Sequence, residues 1–461
     1  MSARQLGLSA SELRQRLVDI DCQRAEVHAQ IEGLRSELER LATERKALTL
    51  NIFLYYVAEG QDPLILAHVC REWREVALAA TALWTKVSVG KATKSSPDVE
   101  KLLHRRFDWA GDRPVSVETA RGGNACSDPH IFSIISSHAH QIGALDIDLP
   151  LPPRAACTLD GMTGRLPNLV SLRLTSSADN VTATFLRDAP ALRELIISTT
   201  QARASIVDLP FDRVTTLRFD KPSQYAVRLM AKMPLLQTAE LIQDSVGVMP
   251  PPRNITLKNL RILRFRHEAS NLRFSWLGSL TCPALQVVAL DLHAAVNPDC
   301  VQNLARFLDG CNNLISLELT TLTGNMAAGI IAHTPTILSL TLHDLTDAHP
   351  LFEALGQRHL DAPDLLPNLV QLHISAASAP TNSFSGVLEL LRFRGMAGGA
   401  LQKFAFTVVE HPAARPTQAF WREIKNLECE VEIRGGEVGG KDKLEILPLY
   451  SLVDISEDQI K

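Results

Sequence analysis

The nine residues Leu166-Pro167-Asn168-Leu169-Val170-Ser171-Leu172-Arg173-Leu174 carry the pattern that decides the fold of this chain. Its three apolar positions, Leu169, Leu172 and Leu174, are separated by two variable residues and then by one. The apolar–polar–apolar alternation of Leu172, Arg173 and Leu174 is typical of a short strand that buries one face. Pro167 is expected to end the helix that precedes this strand. One copy is weak evidence of a fold, but many copies at a regular period are strong evidence.

The spacing occurs eleven times between residues 142 and 406. Successive copies begin 22 to 32 residues apart, and most of these intervals match the period of about 20 to 29 residues in leucine-rich repeats. Helical stretches separate some copies, for example 301–308 and 387–391. We therefore predict an α/β leucine-rich-repeat solenoid over residues 141–434, with parallel strands on its concave face and helices outside. The copies are Ile142/Leu145/Ile147, Leu169/Leu172/Leu174, Leu192/Leu195/Ile197, Val214/Leu217/Phe219, Leu236/Ala239/Leu241, Leu260/Leu263/Phe265, Leu285/Val288/Leu290, Leu314/Leu317/Leu319, Ile337/Leu340/Leu342, Leu369/Leu372/Ile374 and Leu401/Phe404/Phe406.

The turns after the strands lack a usual feature of these repeats. An asparagine or cysteine normally follows the third apolar residue after two variable positions. Here those positions hold Ser177, Thr200, Pro222 and Asp244, among others. The turns are therefore expected to satisfy their backbone groups in another way.

The residue between the second and third apolar positions of each copy is expected to point into the concave face. Arg173, Arg218 and Arg264 then form a charged ladder that includes Glu240, and Arg266 lies at the next outward position. Two interpretations remain open: a solvated face with charges paired among themselves, or a surface that binds an acidic or phosphorylated segment of a client protein. The full row is Asp146, Arg173, Ile196, Arg218, Glu240, Arg264, Ala289, Glu318, Thr341, His373 and Ala405.

The N-terminal residues 13–48 follow a heptad pattern, and nine of its eleven core positions are apolar. This pattern predicts a coiled-coil helix within residues 1–49, because a 3.5-residue period keeps one stripe facing a partner. The partner is either a second copy of the chain, through residues 13–48, or another part of the same chain. The core positions are Leu13, Leu17, Ile20, Arg24, Val27, Ile31, Leu34, Leu38, Leu41, Arg45 and Leu48.

Residues 50–84 form a compact helical unit in which Pro63 suits the first turn of a helix. The string Leu66-Ala67-His68-Val69-Cys70-Arg71-Glu72-Trp73, followed by Leu83-Trp84, resembles the second half of an F-box. Ile52-Phe53-Leu54 resembles the first-helix segment of that family. With a leading coiled coil and a long leucine-rich tail, the chain resembles F-box proteins that are expanded in mushroom-forming (basidiomycete) fungi.

This resemblance implies a substrate-recognition adaptor of a cullin–RING, SCF-type ubiquitin ligase. The family's L-P-x-E segment is replaced here by Glu44-Arg45-Lys46-Ala47. The alternative is therefore a protein-interaction scaffold that no longer binds the Skp-family adaptor. By resemblance, the adaptor-binding residues are Ile52, Phe53, Val69, Cys70, Trp73 and Trp84. The candidate residues for binding the unknown client are Arg173, Arg218, Glu240, Arg264 and Arg266.

The predicted organisation has five parts. They are a coiled-coil helix (1–49), an F-box-like unit with a degenerate N-terminal part (50–90), a linker that caps the start of the solenoid (91–140), the solenoid (141–434) and a C-terminal strand and tail (435–461).

The composition of the 461 residues argues against several classes of function. A net charge of −4 argues against nucleic acid as a partner, and no apolar run is long enough to cross a membrane. The N-terminus has no apolar signal segment, so a cytoplasmic or nuclear location is expected. No two of the eight cysteines have the spacing of a zinc site, and neither a metal nor another cofactor is expected.

The sequence offers one weak sign of an enzyme, the glycine-rich stretch 435–442. It fits the G-x-x-x-x-G-K spacing of a phosphate-binding loop, with Lys441 as the lysine. Asp442 stands where such a loop needs a serine or threonine for magnesium, and a strand-like segment follows instead of a helix. We interpret the stretch as a turn between strands and expect a non-enzymatic protein.

Overall fold

The structure is a computed structural model, and its chain divides into two compact units, Met1–Leu169 and Val170–Lys461. The residues that the structure describes are 9–89, 96–119, 128–149, 159–176, 184–199, 210–220, 224–243, 254–267, 274–292, 298–356, 365–376, 383–394, 400–408, 423 and 429–435.

The first unit contains five helices and three parallel strands among its described residues. The strands hydrogen-bond in the order β1-β2-β3. The helices are α1 (Ala10–Ala58), α2 (Pro63–Val69), α3 (Arg71–Ala79), α4 (Pro97–Ala110) and α5 (Pro129–Ser137). The strands are β1 (Lys86–Val89), β2 (Val115–Thr119) and β3 (Ile142–Leu149). Short 3₁₀ turns lie at Thr81–Trp84 and Ala139–Gln141.

Helix α1 is longer than the predicted coiled-coil segment, because it continues through residue 49 to Ala58. It begins with a capping box: the Ser9 hydroxyl accepts from the Glu12 amide at 3.3 Å, and the Ser9 amide donates to the Glu12 carboxylate at 2.6 Å. No proline or glycine interrupts its last three turns. The helix ends just before Gly60, whose φ of +83° suits glycine.

The second unit contains thirteen strands and five helices among its described residues. Eleven strands form a parallel sheet in the order β4-β5-β6-β7-β9-β11-β12-β13-β14-β15-β16, and β8 pairs with β10. The strands are β4 (Ser171–Ser176), β5 (Glu194–Thr199), β6 (Thr216–Asp220), β7 (Thr238–Gln243), β8 (Ile255–Thr256), β9 (Ile262–His267), β10 (Leu280–Thr281), β11 (Val287–Leu292), β12 (Ser316–Thr320), β13 (Ser339–Leu345), β14 (Gln371–Ala376), β15 (Lys403–Val408) and β16 (Glu430–Gly435). The helices are α6 (Gln224–Met230), α7 (Pro298–Asp309), α8 (Gly324–Ile331), α9 (His349–Gly356) and α10 (Ser383–Arg394), and short 3₁₀ turns lie at Thr184–Leu186, Phe211–Arg213 and Phe274–Ser279.

The strand register stacks the repeat copies on one another. Within the second unit, the second apolar residue of each copy pairs with that of the next, as in Leu172 with Leu195 and Leu195 with Leu217. The apolar triplets are buried throughout, and those side chains form the core with the buried faces of the helices. The prediction of an α/β leucine-rich-repeat solenoid with one strand per repeat is therefore confirmed.

Repeat-like strands also occur outside the predicted copies. β1 and β2 precede the first copy, and α4, α5 and β2 occupy most of the segment predicted as a capping linker. β1 and β2 each bury only two valines, for example Val115 and Val117 in β2, so the spacing of the apolar triplets does not reveal these strands. At the other end β16 adds a strand beside β15.

The turns before the strands carry side-chain hydrogen bonds that link successive repeats. Asn259 donates to the carbonyl of Pro234 at 2.8 Å, and Asn313 donates to that of Pro283 at 2.7 Å. Asn168 and Arg213 make equivalent bonds, to the carbonyls of His140 and Pro190. In each case the donor immediately precedes the first apolar residue of a copy. The acceptor lies two residues before the first apolar residue of an earlier copy. Ser177, Thr200, Pro222 and Asp244 lie outside the described residues.

Candidate interaction surfaces

The helical unit at residues 50–84 is built around aromatic side chains. Phe53, near the end of α1, is buried and meets the Trp73 ring edge-on, with 4.9 Å between ring centroids. Trp84 is also buried; its indole donates to the carbonyl of Ala77 at 2.9 Å and its ring lies 4.5 Å from that of Trp109. Of the predicted adaptor-binding residues, Phe53 and Trp84 therefore form part of the core of this unit.

Cys70 lies between the two short helices α2 and α3. Its extended backbone ends α2, and its sulfur accepts from the Trp73 amide at 3.4 Å, which caps α3. Pro63 stands in the first turn of α2, as predicted, and Asp62 caps that helix. The Asp62 carboxylate also accepts from Arg106 of α4 at 2.6 Å, so α2 and α4 are joined by an ion pair.

The same unit leaves other large apolar side chains in solvent. Ile52 is 63% exposed and Val69 is 57% exposed. Tyr55 lies one turn after Ile52 on α1, and Ile65 lies one turn before Val69 on α2; both are exposed. Trp73 is half-buried and Cys70 is exposed. The predicted adaptor-binding residues therefore divide into a buried pair, Phe53 and Trp84, and a group with solvent access.

The apolar stripe of α1 has no cover in the structure. Leu13 is half-buried, and the other side chains of the stripe range from 41% exposed at Ile31 to 71% at Leu34. Among the described residues, the helix contacts the rest of its unit near its C-terminal end, for example through Phe53 and an ion pair between Arg45 and Glu72. The described residues show no fold-back onto α1. We call this stripe the α1 seam; it consists of Leu13, Leu17, Ile20, Val27, Ile31, Leu34, Leu38, Leu41 and Leu48.

The predicted row of sheet-face residues forms in the second unit. Arg218 is the cross-strand neighbour of Glu240, and Glu240 is that of Arg264. Arg173 lies beside Ile196 at one side, and His373 lies beside Thr341 near the other. In the first unit, Asp146 is the cross-strand neighbour of Glu118. The structure thus brings Arg218, Glu240 and Arg264 together and separates Arg173 from them by the Ile196 strand.

The charges on this face are largely paired with one another. Arg218 lies 3.1 Å from Asp220 and 3.8 Å from Glu240, and Arg266 lies 3.3 Å from Asp291. The imidazole of His343 lies 3.4 Å from the Glu318 carboxylate. This pairing is what the first interpretation, a solvated face with internally paired charges, expects. The client-binding role of the five candidate residues stays a prediction.

Arg264 differs from its neighbours. It lines a small hollow with Glu240, Arg266, Asp291 and Glu318, of about 60 Å³. Within the described part of the chain no ion pair to Arg264 is found. Its half-buried guanidinium, with its fixed set of N–H donors, is therefore the candidate best placed to contact an incoming carboxylate or phosphate.

A histidine cluster in the first unit contains the H-x-H pair His138 and His140 and adds His104, whose position beside them the sequence does not reveal. His138 Nε2 lies 3.0 Å from His104 Nδ1, and its ring stacks on Phe107 with 4.3 Å between centroids. Burial, and to a lesser degree His104, holds the pKa of His138 below its usual range. Only the fold brings His104 and His138 together, since they are 34 residues apart.

The described cysteines include two exposed thiols, Cys22 and Cys70, and three buried ones. Burial raises the pKa of both Cys282 and Cys311 to about 12, so these two thiols stay protonated at neutral pH. No group of three or more metal-ligating side chains is found among the residues that the structure describes. In the glycine-rich stretch 435–442, only Gly435 is described; Lys441 and Asp442 lie outside, as does the rest of the predicted tail.

No helix among the described residues combines the length and the apolarity that a membrane span needs.

Comparison with known proteins yields similar solved structures at low identity. The leucine-rich repeat domain of APL1B is 12% identical and covers 81% of this chain and 96% of its own, with a TM-score of 0.26. A leucine-rich-repeat protein of Leptospira interrogans is 11% identical and covers 65% of this chain and 97% of its own, with a TM-score of 0.22. No protein-family model and no curated protein matches the sequence. The leucine-rich-repeat assignment therefore rests on this chain's own strand register.

Proposed function

We propose that this chain is a non-enzymatic substrate-recognition adaptor. Its repeat sheet binds a client protein, and its helical unit binds the Skp-family adaptor of a cullin–RING ubiquitin ligase. The mechanism is proximity, because a client held on the sheet has a raised effective concentration near the ubiquitin-loaded enzyme. The ligase, the fungal affiliation and a cytoplasmic or nuclear location enter through the F-box resemblance.

One observation supports this function best. The helical unit uses Phe53, Trp73 and Trp84 to hold its helices together, yet it leaves Ile52 and Val69 in solvent. Exposed large apolar side chains on an otherwise well-packed unit are typical of an interaction surface. These exposed residues belong to the group for which the resemblance implies adaptor binding.

A second candidate function is a scaffold that has lost adaptor binding. Residues 44–47, which replace the family's L-P-x-E segment, lie inside α1, and Arg45 pairs there with Glu72. The chain cannot present a separate N-terminal adaptor contact at this place while that helix is intact. Such a scaffold would act through its repeat sheet and α1 alone.

Binding of purified chain to a purified Skp-family adaptor distinguishes the two functions. We expect a stable complex with the wild-type chain. The double variant Ile52→Asp/Val69→Asp is expected to weaken it at least tenfold without a change in melting temperature, because both side chains are already in solvent. The matched control is Leu235→Asp, since Leu235 is 48% exposed but lies in the second unit.

Absence of binding by the wild-type chain would favour the scaffold. If Leu235→Asp weakened adaptor binding equally, the effect would not be specific to the helical unit. Trp73→Ala is a poorer test, because it also removes the contact with buried Phe53 and destabilises the unit.

A further inference from the structure

We propose that two copies of this chain associate through α1 as an antiparallel coiled coil with its two-fold axis near residue 29. The inference does not depend on ubiquitin-ligase function. It starts from the α1 seam, whose apolar side chains are exposed along about five heptads while the helix itself is well formed. A lone helix with such a seam is only marginally stable in water, so the seam needs an occupant.

The heptad positions follow from the spacing of the core residues. Gaps of three and four residues alternate, which places the core residues at a and d in turn. Position a holds Leu17, Arg24, Ile31, Leu38 and Arg45. Position d holds Leu13, Ile20, Val27, Leu34, Leu41 and Leu48. The flanking e positions hold Arg14, Asp21, His28, Arg35 and Ala42, and the g positions hold Arg16, Gln23, Gln30, Glu37 and Glu44.

A parallel pair places like charges in its core. In that arrangement a positions face a positions, so Arg24 would meet the partner's Arg24, and Arg45 the partner's Arg45. The g-to-e contacts would include one kind of opposite-charge pair, Arg16 with the partner's Asp21. The remaining flanking contacts have no opposite charges, for example Glu37 with the partner's Ala42. The parallel dimer therefore gains little from its flanks and has repulsion in its core.

An antiparallel pair removes this repulsion, because a positions then face d positions. With the two-fold axis near residue 29, Arg24 packs beside the partner's Leu34 and its guanidinium can reach solvent along that side chain. Leu17 faces the partner's Leu41, and Leu38 faces the partner's Ile20. The core is then apolar on at least one side of every contact.

The flanks in this register are also complementary. The g positions place Arg16 beside the partner's Glu44, and the e positions place Asp21 beside the partner's Arg35. Each pair occurs twice by symmetry, and no like-charged side chains meet. Shifting the chains by one heptad toward the N-terminus would bring Arg14 against the partner's Arg35 and leave Arg16 with Glu37 as the one kind of opposite-charge pair. Shifting them the other way would leave no opposite-charge pair. The charges therefore favour the register centred near residue 29.

Contacts within the structure agree with this register. Arg45, the last core arginine, is already paired with Glu72 of its own chain, so Arg45 marks the end of the overlap and Leu48 of the α1 seam lies beyond it. Glu44 and Arg35 lie near residues of their own helix, Glu44 3.3 Å from Arg40 and Arg35 2.6 Å from Glu32. Exposed pairs of this kind contribute little, so both side chains can turn to a partner. The overlap of residues 13–45 is about 50 Å long.

Cysteine cross-linking of the full chain tests both the association and its direction. In a Cys22→Ser background, Leu17→Cys and Leu41→Cys are made as separate variants. Antiparallel pairing predicts that neither variant forms a disulfide with itself through the new cysteine. An equal mixture, after exchange of chains, gives a covalent dimer whose linked peptides contain residues 17 and 41. A dimer linked 17-to-17 or 41-to-41 would overturn the antiparallel direction.

A charge-reversal series provides an independent test. Light scattering is expected to show a dimer for the wild-type chain. Arg16→Glu is expected to raise the dissociation constant of this dimer about tenfold, because two attractive pairs become repulsive. Adding Glu44→Arg restores the affinity in the antiparallel register, whereas Asp21→Arg would restore it in a parallel dimer. Lys46→Glu, on the outer face of the helix, is the matched control, because Lys46 is exposed and no ion pair to it is found among the described residues. A monomer at tens of micromolar would overturn the proposal, and it would leave the adaptor-binding result unaffected.

Discussion

At the scale of single residues, several side chains have structural roles that their chemistry alone does not indicate. Trp84 and Phe53 resemble adaptor-binding residues in sequence but are buried in the core of the helical unit. Cys70 caps a helix through its sulfur. His138 lies against His104 and Phe107 in an environment that disfavours its charged form. For Phe53, Trp84 and His138 a neighbour distant in sequence determines the role, whereas the cap made by Cys70 is local.

His138 makes stability depend on pH. Burial and the adjacent His104 and His140 lower its folded-state pKa below 6.5, while Asp108 opposes the shift. The unfolded chain therefore binds a proton more readily, and we expect the first unit to lose stability as the pH falls below about 6.5. Urea unfolding between pH 7.5 and 5 should show a steeper loss for wild type than for His138→Gln. If the free energy of unfolding fell equally with pH in both proteins, His138 would not be the cause of the pH dependence.

The described cysteines should differ in how fast their thiols react with an alkylating reagent. Cys282 and Cys311 are buried and have pKa values near 12, so they are expected to resist iodoacetamide in the native protein. Cys22 and Cys70 are exposed and are expected to react. Mass spectrometry of labelled peptides measures each site. Rapid labelling of Cys282 without denaturant would show that its region opens in the native state.

At the scale of elements, the repeats are joined by more than strand pairing. Each described donor in the lead-in turns, such as Asn259, bonds to the carbonyl of a turn in an earlier repeat. These bonds satisfy backbone carbonyls at the strand entrances, whereas the usual asparagine of the repeat pattern is missing from the turns after the strands. Helix α1 shows the opposite case, because the described residues of its unit leave most of its apolar face exposed.

Removing a lead-in bond should destabilise the second unit. Asn313→Ala leaves the Pro283 carbonyl without its side-chain donor, and Asn259→Ala does the same for Pro234. Each change is expected to cost about 1 kcal/mol of unfolding free energy. Asn312→Ala is a matched control, because Asn312 is exposed and has no hydrogen bond among the described residues. Thermal or urea unfolding followed by circular dichroism gives the comparison, and equal losses for Asn312→Ala and Asn313→Ala would contradict the role.

At the scale of the whole molecule, function depends on which surfaces the fold leaves available. The sheet face of the second unit has many charges, but ion pairs such as Arg218 with Asp220 and Arg266 with Asp291 leave little free positive charge. Arg264 is the exception among the candidate residues, since its guanidinium lines the hollow without an ion pair in the described part of the chain.

Client binding should therefore depend on Arg264 more than on the paired arginines. We expect Arg264→Glu to reduce recovery of client proteins at least tenfold in affinity purification with quantitative mass spectrometry. Arg306→Glu, on the exposed face of α7, makes the same charge change away from the sheet and is the control. Undiminished recovery with Arg264→Glu would place the client elsewhere.

The repeat fold could be predicted from the sequence alone, because the apolar spacing and its period of 22 to 32 residues can be recognised without knowing which residues are in contact. The heptads of α1 are local in the same sense. The burial of Phe53 and Trp84, the pairing of the arginines and the hydrogen bonds of the turns before the strands became evident from the tertiary structure alone. Those outcomes depend on contacts between residues one repeat or more apart, such as Asn313 with Pro283 and His104 with His138, and no local pattern specifies such partners.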